Sequence, residues 1–311
     1  MKKSKILIVG SNGFLGSTVL KKMNENKNFI VSHIGGKENL DVKNLKPLIS
    51  FFDEKKFDYV INCSAFVGGI SFGYEYPVEL LEINTTLANN LYRASYETNV
   101  KLLVNPISNC AYPSNINYYE EDKFWEGPPH ESVFNYGLSK RFFVGLGDSY
   151  NEQYNFSSAN VVLSNMYGPN DHFDESRSHA LGALVKKICD AKINNQKNVE
   201  VWGTGKPIRE WLYVEDGADS LIKSLELSND HFFFNVGIGK GISIKELAEK
   251  IAQYAKWEGE LTYNTDKPDG VMEKTVNGNK GEKLLGWKPP TSLDIGIKLT
   301  VDWYLEYGTK K

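Results

Sequence analysis

The chain has 311 residues, with 36 lysines and arginines against 39 aspartates and glutamates for a net charge of −3, and it is 41% hydrophobic and 24% charged. This is the balance of a globular protein of one large or two modest domains, and it excludes extensive disorder and general nucleic-acid binding. No apolar run reaches the roughly 18 residues of a membrane span, and the scattered Cys63, Cys110 and Cys189 suit neither a disulfide framework nor a zinc site, so a reduced, cytoplasmic protein is expected.

The first elements are the most legible. Met1–Lys5 imitates the basic start of a secretory leader, but the apolar run Ile6-Leu7-Ile8-Val9 ends at Gly10 and is too short for a leader's core. It reads instead as a strand buried on both faces. The turn Gly10-Ser11-Asn12-Gly13-Phe14-Leu15-Gly16 follows, then Leu15, Val19, Leu20 and Met23 at helical spacing, then a second strand at Phe29-Ile30-Val31. That is a βαβ opening.

Further buried strands are expected at 59–61, 102–104 and 161–163, with amphipathic helices over about 78–98 and 137–154 between them. Such alternation calls for a parallel sheet with helices on both faces. Beyond Gly168 the pattern loosens, leaving helices near 179–194 and 243–256 and one more strand at 232–236. The expected fold is α/β: a Rossmann-type doubly wound parallel sheet over 1–166 with a return segment near 211–238, and a smaller mixed C-terminal substrate domain over 167–311.

Gly10, Gly13 and Gly16 lie directly between strand and helix. Missing side chains let the backbone turn tightly and let a pyrophosphate approach the helix N-terminus. Gly10, Asn12, Gly13, Phe14, Leu15 and Gly16 are therefore candidate cofactor residues, with Ala65 beyond the strand at 59–61. The plainer alternative is a turn kept glycine-rich only for packing. An NAD site usually has an acid at the end of the second strand, whereas Ser32-His33-Ile34-Gly35-Gly36-Lys37 has no acid and one lysine. Lys37 there tolerates a 2′-phosphate, which favours NADP(H). Asp41 is placed for an adenine amino group, or else caps the next segment.

Tyr136-Gly137-Leu138-Ser139-Lys140 opens a helical stretch and puts Tyr136 and Lys140 on one face. A neighbouring ammonium stabilises phenolate and is expected to lower the tyrosine pKa toward a working range. Ser108, beyond the strand at 102–104, is the hydroxyl that could hold a carbonyl undergoing reduction. Alone, Tyr-x-x-x-Lys is as readily a solvated helix face; beside the glycine turn and Ser108 it points to a reductase.

Added to these motifs are Val67-Gly68-Gly69-Ile70, Ser108-Asn109-Cys110-Ala111-Tyr112-Pro113 and Asn165-Met166-Tyr167-Gly168-Pro169-Asn170-Asp171. Ser178-His179, Val201-Trp202-Gly203-Thr204-Gly205, Arg209-Glu210 and Pro268-Asp269-Gly270 complete the set. Almost end to end, the chain resembles the extended short-chain dehydrogenases/reductases, and within them the GDP-4-keto-6-deoxymannose epimerase-reductases. The resemblance implies an NADPH-dependent C4-reductase that gives GDP-L-fucose or a close relative for surface polysaccharide. It also implies a homodimer packed through helices near 85–98 and 137–154.

By the same resemblance Cys110 and His179 are the epimerase acid/base pair. A keto group at C-4 acidifies the protons on C-3 and C-5, and a thiol with an imidazole can move them near neutral pH. Read without the family, Cys110 is a small buried hydrophobe and His179 a helix cap. Ser108-Asn109-Cys110 lacks the acid that a 4,6-dehydratase needs beside its catalytic hydroxyl.

For the nucleotide end, Lys187 and Arg209 are candidates for the diphosphate and Trp202 for a stacking wall. Asn165 stands just past a strand, where open α/β sheets bind ligands. Lys186-Lys187 reads equally as the wet face of a helix. His33, His130, His172 and His231 show no ligand spacing, and no metal is expected.

Three departures from the family pattern stand out: Asn12 in place of an arginine aimed at the NADP phosphate, which counts against NADP(H), Lys187 in place of an arginine near the substrate diphosphate, and Met272-Glu273-Lys274 in place of Pro-Arg-Lys in a substrate loop. The alternative function is a C4-reductase without epimerase activity, acting on a related sugar such as a GDP-heptose.

Overall fold

The computed structural model describes residues 3–36, 40–174, 178–228, 230–267 and 269–308. The first half runs β1 (Ser4–Val9), α1 (Phe14–Glu25), β2 (Phe29–Ile34), α2 (Leu45–Lys55), β3 (Tyr59–Asn62), α3 (Ile70–Glu75), α4 (Pro77–Glu97), β4 (Leu102–Ser108), β5 (Tyr118–Tyr119) and α5 (Phe134–Tyr154). Next come β6 (Ser158–Leu163), β7 (Asn165–Tyr167), α6 (Ala180–Ile193), β8 (Asn198–Trp202), β9 (Ile208–Arg209), β10 (Trp211–Tyr213) and α7 (Val214–Lys223). The chain closes with β11 (His231–Val236), β12 (Ile242–Ser243), α8 (Ile244–Ala255), β13 (Glu260–Asn264), β14 (Glu273–Val276), α9 (Asn279–Leu285) and α10 (Leu293–Tyr307).

Six parallel strands form the main sheet in the order β11-β6-β4-β3-β1-β2. Strand alternation assigns its two faces. Ile6, Ile8, Ile61, Val104 and Val161 pack with α1 and α7, while Leu7, Val9, Val60, Leu103 and Val162 pack with α2, α4 and α5. A third core joins α6, α8 and α10 to β8. There β13 pairs with β8, and β12-β9-β14-β5 make a small mixed sheet. Because β5 pairs with β14, a segment preceding α5 is tied into that small sheet.

The strands and helices anticipated from spacing are present, and five further helices, α2, α3, α7, α9 and α10, join them among the described residues. In α2, Pro47 sits in the first turn, which a helix tolerates but which hides the pattern. α7 starts directly after β10 with no break, and α9 is short. α10 carries Gly296 and apolar residues around much of its circumference. None of the described helices is long and apolar enough to cross a membrane, and all three cysteines are free.

On the α4/α5 face the sheet carries a row of buried polar groups. Asn62 donates to Asn105 (3.2 Å), Asn105 to the Tyr92 hydroxyl (3.4 Å), and Asn160 to the same hydroxyl (3.1 Å). Tyr92 in turn donates to Ser158 (3.3 Å), whose Oγ is 2.8 Å from His231 Nδ1. The His231 side chain is 6% exposed, with Nε2 3.5 Å from Asp148. Burial lowers its pKa below the ordinary imidazole value, against the pull of Asp148.

His231 is thus held neutral in the native state and titrates near 6.5 when unfolded. Between its depressed native pKa and 6.5 the unfolded chain binds the extra proton, so stability is present above that window and lost as pH falls through it. The melting temperature should drop between pH 7.5 and 5.5, and by less in His231→Gln; thermal unfolding followed by circular dichroism at both pH values checks this.

Candidate active site

The site lies at the C-terminal ends of the parallel strands, where β1 turns into α1. Gly10 has φ +80°, and a Cβ there would lie 2.6 Å from Ser64 N; one on Gly16 would lie 2.1 Å from Gly10 O. Both positions exclude a side chain. Helix α1 begins at Gly13 with no side-chain cap and no acid in its first turn, so its free N–H groups face the crevice as an anion site. These features fit a dinucleotide pyrophosphate.

Of the other predicted cofactor residues, Leu15 is buried in the α1 core and offers only its backbone, whereas Phe14 is half-buried and Ala65 exposed at the mouth. The exposed Asn12 amide lies over Gly35, where a Cβ would come within 2.2 Å of it. Ser11 Oγ is 3.1 Å from His33 Nδ1, so His33, assigned nothing from the sequence, forms part of this rim. Lys37 lies outside the described residues. Asp41 accepts the Lys43 N–H at 3.0 Å and so shapes the turn into α2.

Ser108 ends β4 and caps the one-turn helix Asn109–Ala111, its Oγ accepting the Cys110 N–H at 3.2 Å. With that lone pair engaged, its hydroxyl proton is free to donate into the crevice. Gly137 in α5 fits this turn closely, since a Cβ on it would lie 2.6 Å from Cys110 O. The Ser108–Ala111 turn and the first turn of α5 therefore bring Ser108, Cys110, Tyr136 and Lys140 together.

The electrostatics depart from the expected picture. Lys140 Nζ sits 5.6 Å from the Tyr136 ring centroid but donates to Pro106 O at 3.2 Å, not to the phenol. Burial, and secondarily Cys110, raises the Tyr136 pKa; the expected lowering by Lys140 is not what this site shows. Lys140 is itself pulled down to about 8 by burial. Burial pushes the nearby Cys63 thiol up to about 12, against the pull of the Lys140 charge. The phenol is therefore a protonated acid at neutral pH, the form a carbonyl reductase requires.

Cys110 shares its surroundings with Tyr119 and Arg209. Arg209 is largely desolvated and bonds to main-chain oxygens, Ile208 O at 2.8 Å and Asp269 O at 3.5 Å, leaving guanidinium N–H groups for a ligand. In the small sheet Lys274 is opposite Arg209 and Val276 opposite Tyr119. Alternation then puts Arg209, Lys274 and Tyr119 on one face, with Glu273 on the other. The acid that replaces a family arginine thus points away from the cations.

His179 is the N-cap residue of α6 but makes no side-chain cap bond, so its ring is not engaged as a cap. Solvent reaches it, yet the protein around it, with His172 and Lys274, lowers its pKa. Nearby, the Asp171 carboxyl is pushed up to about 7 by burial, and its Oδ2 has no partner among the described residues.

The two adjacent lysines separate. Lys186 pairs with Asp190 at 2.7 Å, whereas Lys187 donates to Glu200 O and lies 5.0 Å from the Trp202 ring centroid. Lys267, missed in the sequence, lies 5.1 Å from the same ring. Trp202 is 53% exposed. Asp269 fixes the adjoining turn by accepting Thr204 N and Oγ1, both at 2.7 Å. Asn165 donates to Glu210 O at 2.9 Å. A separate cleft of about 760 Å³ lies at the N-terminal ends of the strands, lined by Ser4, Phe29, Tyr59, Lys101 and Leu102 among others, and shares none of these residues.

Residues 6–237 match the family described as the NAD dependent epimerase/dehydratase family. GDP-L-fucose synthase 1 of Arabidopsis thaliana is 33% identical, covering 98% of this chain and 94% of its own. A GDP-L-fucose synthetase from Naegleria fowleri bound to NADP superposes with a TM-score of 0.88 at 28% identity, over 99% of this chain and 95% of that one. A GDP-6-OMe-4-keto-L-xylo-heptose reductase from C. jejuni does so with a TM-score of 0.87 at 28% identity, over 100% and 99%.

The buried ammonium is directly testable. With 13Cε-labelled lysine, an NMR titration should resolve a resonance with a midpoint near pH 8 from Lys140. That resonance should be missing in Lys140→Arg.

Proposed function

The chain belongs to the NAD dependent epimerase/dehydratase family, and we propose that it is an NADPH-dependent C4-reductase of a GDP-linked 4-keto-6-deoxy sugar that also epimerises its substrate. The observation that carries this reading is the Ser108–Ala111 turn. It presents a hydroxyl and a thiol beside Tyr136 and Lys140, at the same C-terminal edge of the sheet as the glycine turn.

The glycine turn and the α1 N-terminus would hold NADPH, which would supply the hydride for C-4. Ser108 donates a hydrogen bond to the ketone oxygen without giving up its proton, and Tyr136 transfers its phenolic proton to that oxygen as the alkoxide develops. The Lys140 ammonium, charged below about pH 8, favours the phenolate left behind and can bond the cofactor ribose. Before reduction, the same two hydroxyls stabilise an enolate oxygen. Cys110 and His179 then act as acid and base at C-3 and C-5, with His179 kept neutral by its depressed pKa. Arg209 and Lys187 meet the diphosphate, Trp202 stacks on the base and Asn165 lines the sugar site. The product in this reading is GDP-L-fucose or a close relative destined for surface polysaccharide.

A second reading keeps the reduction and drops the epimerisation, on a GDP-heptose. The likeness to the C. jejuni heptose reductase favours it. We further propose a homodimer through α4 and α5, because Phe134, Leu138 and Phe142 repeat every fourth residue on α5 and are 39%, 38% and 37% exposed.

NADPH oxidation should be seen with GDP-linked 4-keto sugars and not with dTDP-, UDP- or CDP-linked ones. Tyr136→Phe should lower the rate by roughly 10²-fold or more. In deuterium oxide, label at C-3 or C-5 of the product, read by NMR, supports epimerisation. Label at neither carbon selects the second reading. Light scattering on a sizing column should report a dimer, and Leu138→Glu with Phe142→Glu should yield monomer.

A further inference from the structure

We propose that Arg141 is a positioning residue that fixes the Ser108–Ala111 turn against α5 and so sets the spacing between the two halves of the catalytic group. The proposal rests on the roles given above to Ser108, Cys110 and Tyr136. Arg141 follows Lys140 on α5 and is 8% exposed. Its Nε–H donates to Ala111 O at 2.7 Å. The guanidinium lies 5.3 Å from the Phe124 ring centroid and 5.6 Å from that of Trp125. Its Nη2 is buried without a partner, and no carboxylate pairs with it among the described residues.

A buried, unpaired guanidinium is costly, and an apolar side chain of similar length would fill the space with less desolvation. What the guanidinium adds is a directional N–H aimed at one carbonyl. The rest of the turn shows why that bond matters. Beyond it, Tyr112 is stacked on Tyr119 at 4.6 Å and bonded to Asn235 at 2.8 Å, which ties the segment to the sheet. Before it, Ser108 belongs to β4. Between these anchors the turn meets α5 through the packing at Gly137 and the bond from Arg141. Tyr136 and Lys140 are on the helix side of that contact and Ser108 and Cys110 on the other. Loss of the bond frees the turn between the anchors to shift against α5, which moves Cys110 and loosens the Cys110 N–H that orients Ser108 Oγ.

Arg141→Met keeps length and aromatic packing but removes the N–H, and Arg141→Lys keeps a donor. The first should lower kcat for NADPH oxidation by tenfold or more with KM within twofold, and the second should recover at least threefold of that loss. Alkylation of Cys110 by iodoacetamide, followed by peptide mass spectrometry with Cys63 and Cys189 as internal references, should be at least threefold faster in Arg141→Met. A kcat within twofold of the parent, or a loss matched by a lower folded fraction with unchanged Cys110 alkylation, overturns the proposal. If the methionine variant does not fold, Arg141→Lys decides through the alkylation rate: faster supports, unchanged overturns. A parent chain inactive on every GDP-4-keto sugar defeats the functional reading alone, and the alkylation comparison still decides the role of Arg141.

Discussion

The site depends on how closely the backbone of one turn can approach one helix. The carbonyl of Cys110 sits where a side chain on residue 137 would be, so the absence of a Cβ there lets β4 and α5 converge. Ser108, Cys110, Tyr136 and Lys140 all lie within two residues of that contact or one helical turn from it, and His179 alone among the groups given a chemical role comes from elsewhere, the N-terminus of α6. Adding a methyl group would force backbone against backbone, which a packed interior accommodates only by shifting. Chemistry and packing are set here by the same few ångströms.

Burial then decides the protonation states. It raises the phenol, lowers the ammonium and lowers the imidazole at the α6 N-terminus, so two of the three are neutral near pH 7 while the lysine retains most of its charge. An acid poised to donate and a base poised to accept are what reduction and epimerisation demand of these groups. The cationic pair Arg209 and Lys274 faces the same space, and its like charges, adjacent in register, are best relieved by an anion such as a diphosphate.

Much of this was legible in the sequence because local rules governed it. The strand–glycine–helix opening and the helix expected over about 137–154, found as Phe134–Tyr154, follow from periodicity and spacing within short windows. What escaped depends on partners far along the chain. Lys274 faces Arg209 only through the parallel pairing of β14 with β9, and those strands are too short to show a period. Lys267 reaches Trp202 across a separate loop, and His33 matters through a serine 22 residues away. The direction of the Tyr136 shift was misread because a neighbouring lysine is visible in sequence, whereas the depth of burial that outweighs it is not.

The amide and hydroxyl row across β3, β4, β6 and β11 has a bearing on assembly of the sheet. A parallel strand shifted by two residues would keep its apolar faces correctly turned, so hydrophobicity alone permits the slip. With Asn62, Asn105, Ser158 and Asn160 in place, such a slip strands several polar atoms in a dry interior at about 1–3 kcal/mol apiece. The row works as the notches of a key: it discriminates the correct alignment from near misses, and thereby holds the strand ends, with the turns that bear the reactive groups, at one level.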